Sequence, residues 1–180
     1  MNIDDFDLFD THIHLSATEF NSSRLDILNY LKISKTLVFN VSETLNDSKI
    51  TVELSNSNDN LLSFVGIHPK YSQSNLEEFD VFFKDNLDFI DGIGEIGLDK
   101  TYIERGIDFE NQIITFKHML QLAEKSKLPV SIHSRDATQE VLDILESYNI
   151  PCIMLHWFSG NEYQLKKILT SYNNKRTLIN

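Results

Sequence analysis

Apolar residues along this chain fall into short runs separated by stretches in which they recur every three or four positions, and the two patterns alternate almost without interruption. The short runs predict strands over 6–12, 36–41, 61–66, 89–94, 130–133 and 152–156, the length of buried parallel strands. Helical spacing predicts helices over 23–32, 47–56, 76–84, 109–125, 138–148 and 162–170. Within 109–125, Phe109, Ile113, Phe116 and Leu120 mark one buried stripe, with Gln112 and Lys117 outside it. The polar stretch 55–60 reads as a connecting loop, and 176–180 as the start of a possible seventh strand.

Strand-helix units in such a succession are satisfied by a (β/α) barrel or by an open doubly wound sheet. Residues able to bind a cation choose between the two. On a strand, side chains two apart point the same way, so His12 and His14 can converge on one ion while Ile13 faces the other side. The competing reading has one of the pair capping a loop. Glu95 has glycine on either side of the Glu95-Ile96 pair, so its backbone can approach a site closely; a solvated acid at a strand end is the alternative. His133 and His156 each end an apolar run, where a core histidine satisfied by one hydrogen bond is the rival. All five stand at the carboxyl ends of their strands. A barrel gathers those ends around one mouth, whereas an open sheet spreads them along a line. The expected fold is therefore α/β, a TIM-type (β/α) barrel, incomplete, with about six of the eight β/α units.

Composition narrows the picture. At 180 residues and 41% hydrophobic the chain can bury a sizeable core, and a single domain over 1–180 is expected. No apolar run approaches the roughly 20 residues of a membrane span. The first residues are acidic where a signal peptide is basic, so a cytoplasmic location with no membrane partner is expected. One cysteine, Cys152, excludes an internal disulfide. A formal charge of −11 argues against a protein that holds nucleic acid by a broad basic surface. A bound metal pair would instead concentrate positive charge locally, which an acidic metallonuclease can use.

Asp10-Thr11-His12-Ile13-His14-Leu15, Gly66-Ile67-His68-Pro69, Gly94-Glu95-Ile96-Gly97-Leu98-Asp99, Ile132-His133-Ser134-Arg135-Asp136-Ala137 and His156-Trp157-Phe158-Ser159-Gly160 together resemble the motifs of the TatD family of metal-dependent deoxyribonucleases, in the same order. The resemblance implies a barrel of the metal-dependent hydrolase superfamily, two divalent metal ions (Mg, Mn or Zn) as cofactors, and hydrolysis of phosphodiester bonds in DNA by a metal-activated water. Glu95 is the natural bridging and catalytic carboxylate, because one carboxylate can give an oxygen to each metal. His12 and His14 would complete one metal site, and the family pattern places His133 and His156 on the other. The resemblance also suggests that His68 contacts substrate phosphate. Lys70 stands where relatives usually carry a further histidine, keeping a positive charge with a different reach. Arg135 either pairs with a phosphate or bonds Asp136. Asp99 orients a metal ligand, pins its loop or touches substrate. His118 reads as a packing residue, and Trp157 and Phe158 either stack on a base or pack on the next helix.

A closed barrel has eight strands and typically about 250 residues, and the family's aspartate after the eighth strand has no counterpart here. The expectation is a shortened chain, closed by self-association in a homo-oligomer or by a second polypeptide, or left marginally stable. Two further functions stay open: a catalytically impaired metal-binding or interaction subunit, and a hydrolase of small amides or lactones.

Overall fold

The computed structural model describes residues 2–171 and 176–179. Seven strands form one parallel sheet: β1 (Leu8–Ile13), β2 (Thr36–Val41), β3 (Leu61–Val65), β4 (Gly92–Asp99), β5 (Val130–Arg135), β6 (Cys152–Leu155) and β7 (Arg176–Ile179). The helices between them are α1 (Arg24–Ile33), α2 (Leu45–Asn56), α3 (Leu76–Asp85), α4 (Phe109–Ser126), α5 (Thr138–Leu145) and α6 (Glu162–Ser171). Each strand lies beside its neighbours in the chain, in the order β1 to β7. A doubly wound sheet reverses direction partway, so this unbroken order is the winding of a TIM-type barrel, present as a curled, incomplete sheet. Residues 176–179 do form a strand, paired with β6 from Cys152↔Arg176 to Leu155↔Ile179. The sheet thus has the strands of the six expected units and, at 176–179, the seventh strand that the sequence left possible. Among the described residues its edges are β1 and β7, and Leu8 and Phe9 on β1 are more than half exposed. No described helix is long and apolar enough to cross a membrane.

The main core lies between the sheet and helices α3, α4 and α5, where Phe79, Phe116, Met119, Leu120, Ile132 and Leu142 are fully buried. Side-chain caps set where the helices start. Thr44 Oγ1 accepts from the Asp47 amide, so α2 begins at Leu45, earlier than the apolar spacing suggested. Asn75 and Asp108 do the same for α3 and α4 through the Glu77 and Glu110 amides.

Three expectations need correction. The fourth strand, predicted over 89–94, runs from Gly92 to Asp99, while Leu87–Phe89 form a short 3-10 turn. The apolar run ends early because the second half of β4 alternates glycine and acid with apolar residues, although every residue in it is buried. Gln112, placed outside the buried stripe, is completely buried: its Oε1 accepts from the Asp99 amide at 2.8 Å and its Nε2 donates to the Asp99 carbonyl at 3.0 Å. It serves as an amide clamp for the end of β4, satisfying both backbone groups of Asp99. His118 is no packing residue; it is partly exposed on α4, with Nε2 at 2.7 Å from Asp80 Oδ1 on α3.

Candidate metal centre

The curl of the sheet brings residues from six strands, β1 to β6, to one rim. At the end of β1, His14 Nδ1–H donates to the Val41 carbonyl at 2.8 Å, which turns its Nε2 toward the rim. His12 Nε2 lies 3.1 Å from that Nε2, and each of the two nitrogens is 3.4 Å from Glu95 Oε2. The triangle has the dimensions of a metal-binding face: donors about 2.0–2.1 Å from a tetrahedral cation stand about 3.3–3.4 Å from one another. His12 Nδ1 is backed by the Ser131 hydroxyl at 3.3 Å, a group that donates or accepts according to which ring nitrogen holds the proton.

Glu95 occupies the centre. It is only 3% exposed, and its second oxygen, Oε1, lies 2.9 Å from His133 Nδ1. Burial alone would raise its pKa, but hydrogen bonds from His12, His133 and His14 outweigh that and hold the carboxyl well below its usual range. An ionised carboxylate with imidazoles on both oxygens is suited to serve two cations at once. Two close approaches of backbone allow it to sit there. A Cβ on Gly94 would meet Ser131 Cβ at 2.6 Å, and one on Gly97 would lie 2.0 Å from the His133 carbonyl oxygen.

His133 is held from behind by Asp99, whose Oδ2 lies 2.8 Å from Nε2. Burial would lower the His133 pKa, and the Glu95 and Asp99 carboxylates reverse that and raise it. Asp99 is itself fixed by the Thr101 hydroxyl and amide at 2.6 and 2.8 Å, and by the Gln112 clamp on its backbone. It therefore both orients His133 and pins its loop, two of the roles left open by the sequence.

His156, one residue past β6, stacks on His12 with ring centroids 3.4 Å apart and planes within 5°. Burial and the neighbouring His12 push its pKa down to about 4, so the ring is neutral. Its buried Nδ1 has no hydrogen-bond partner among the described residues. A neutral imidazole with an orphaned nitrogen at a rim of other imidazoles fits a cation ligand, since the metal repays the lost hydrogen bond.

His68 is buried beside this cluster, its ring edge-on to His133 at 4.6 Å. Burial lowers its pKa to about 3, and its Nδ1 accepts from the Lys70 amide at 3.2 Å. Lys70 itself is exposed, its ammonium 4.9 Å from the Tyr71 ring centroid. Arg135 ends β5 in the open, and among the described residues it has no carboxylate partner, Asp136 included. It lines a cavity of about 300 Å³ with His133, Ser134, His156, Trp157 and Ser159.

Three donor sets result: His12, Glu95 and His156; His68, Glu95 and His133; and His14, Glu43 and Glu95, each with ligand atoms within 4.8 Å of one another. All five residues predicted as metal ligands come together, and His68 joins them. His156 groups with His12, on whose ring it stacks, where the family pattern put it with His133. Glu43 was missed. The available signal was its position just past a strand end, two residues after β2, as His14 and His156 each stand one residue past theirs.

The profile of the family described as TatD related DNase matches residues 9–175. An uncharacterised metal-dependent hydrolase of Mycoplasma genitalium is 30% identical over 172 residues, covering 90% of this chain and 64% of that protein. A human protein named deoxyribonuclease TATDN3 is 29% identical over 167 residues, covering 85% of this chain and 61% of its own length. Among solved structures, a TatD homologue from Escherichia coli superposes with a TM-score of 0.82 at 22% identity, covering 96% of this chain and 66% of that one. The chain thus spans somewhat less than two thirds of the curated relatives it matches.

Proposed function

The chain belongs to the TatD-related DNase family of metal-dependent hydrolases, and from that premise we propose that it hydrolyses phosphodiester bonds in DNA with two divalent cations held around Glu95. The observation that carries this reading is that every donor set contains Glu95, whose two oxygens face different imidazoles. In this reading His12, His14 and His156 would hold one cation with Glu95, and His133 and His68 would hold the other with the same carboxylate. Glu43 adds a second carboxylate on the His14 side.

When bound, divalent cations supply Lewis acidity toward a phosphoryl oxygen and lower the pKa of a water. The protein's own contribution is positional. Val41 and Ser131 hold the His14 and His12 rings, Asp99 holds His133, and Arg135 offers a guanidinium to the phosphate from the cavity wall. An acidic chain of net charge −11 repels DNA at long range, so contact depends on that local positive charge.

The test is cleavage of labelled oligonucleotides by the purified chain in Mg²⁺, Mn²⁺ or Zn²⁺. Turnover that is abolished by chelator and by His12→Ala is expected. Stoichiometric metal without turnover on DNA would leave a metal-binding subunit, and turnover of a small ester or amide with inert DNA would move the substrate class.

Asp99→Asn provides a second check. Asparagine retains the shape but no longer draws the proton to His133 Nε2 as a carboxylate does, so metal affinity should fall about 10–100-fold. Titration of the metal-free protein with Zn²⁺ by calorimetry reads this directly, and an unchanged affinity would reduce Asp99 to a loop anchor.

A further inference from the structure

We propose that Trp157 is a stacking platform for a nucleobase at the mouth of the metal centre; the choice of ligand class rests on the DNA reading above. Two neighbouring aromatics follow His156, and the structure separates them. Phe158 packs against the main core, whereas Trp157 is 83% exposed. The Trp157 backbone is in the left-handed region at φ 48°, a conformation unfavourable for a residue with a Cβ. An indole held outward by an unfavourable backbone, with its apolar face in water, is positioned for a partner.

The surroundings specify that partner. Trp157 shares the cavity with His133, His156 and Arg135, and its ring lies 6.2 Å from that of His156. A flat aromatic face beside a guanidinium without a carboxylate partner matches the two halves of a nucleotide, base on indole and phosphate on arginine. In the interior of a duplex both faces of every base are covered by neighbouring pairs. An indole can therefore stack only on a base that is terminal, frayed or single-stranded.

Trp157 is the only tryptophan in the chain, so its fluorescence reports on this residue alone. With metal present and phosphorothioate linkages to prevent turnover, titration with single-stranded oligothymidylate should quench the emission, and a strand of the same length and linkage made of abasic sites should not. With metal present, Trp157→Ala should raise KM for the base-bearing strand about tenfold, with Trp157→Phe restoring most of it. The alanine variant should also lose the preference for base-bearing over abasic strand. Equal quenching by the abasic strand, or an unchanged KM in Trp157→Ala, overturns the proposal. Absence of any DNA turnover would defeat the nuclease reading while leaving the quenching result to be read on its own. Turnover on DNA without base-dependent quenching would remove only the stacking platform.

Discussion

Glu95→Gln should empty the whole centre in one step. Each of the three donor sets includes this carboxylate, so its loss removes from every set the shared ligand that balances the cation charge. The amide retains the volume of the side chain but loses the charge that offsets two cations, and it can offer a lone pair from one of its two ends only. Hydrolysis should fall by roughly 10³-fold or more, beyond the effect expected for an orienting residue. Metal content after dialysis, measured by mass spectrometry, should fall for both ions together. A second readout avoids dependence on activity. Saturating metal stabilises the native chain by about 2.7 kcal/mol at 100 times Kd, or roughly 5–10 °C in Tm for a domain of this size, and the variant should lose that shift. Retention of one full equivalent of tightly bound metal would show that Glu95 serves a single site.

Gly97→Ala should be the most destabilising substitution of a single methyl. Gly97 has φ 144°, and a Cβ there would lie 2.0 Å from the carbonyl oxygen of His133, its register partner on β5. The carbonyl belongs to paired backbone and the Cβ is fixed rigidly to its own, so neither can turn aside as the tip of a side chain could. The cost should be about 3 kcal/mol or more, read as a fall in the urea midpoint. Separation of β4 from β5 would also draw His133 away from Glu95, so metal affinity should fall with stability. Gly106→Ala is the control. That glycine also has positive φ, at 83°, but nothing lies within 4 Å of an added Cβ, and about 1 kcal/mol is expected. Equal losses in the two variants would show that conformational freedom, and not close approach, is what Gly97 supplies.

Much of this could be read from the chain alone, for a definable reason. The alternation of strand and helix is a local property, since the period of the apolar residues reports which face of each element is covered. The two-residue spacing of His12 and His14 is equally local, and the strand geometry follows from it. The limits appear where burial arises from something other than apolar side chains. β4 extends to Asp99 because its glycines let another backbone close over it, and Gln112 is buried because it bonds both backbone groups of Asp99. Neither leaves a mark in hydrophobic periodicity.

Which side chains meet was decided by the tertiary structure. Residue identity made His12, His14, Glu95, His133 and His156 candidate ligands, but only the curl of the sheet set His156 on His12, brought Glu43 and His68 to the same rim, and turned Trp157 outward while Phe158 went in. Sequence spacing carries the chemistry of each strand end. Distances between strand ends depend on register and curvature summed across the sheet, and no single segment of the chain encodes that sum.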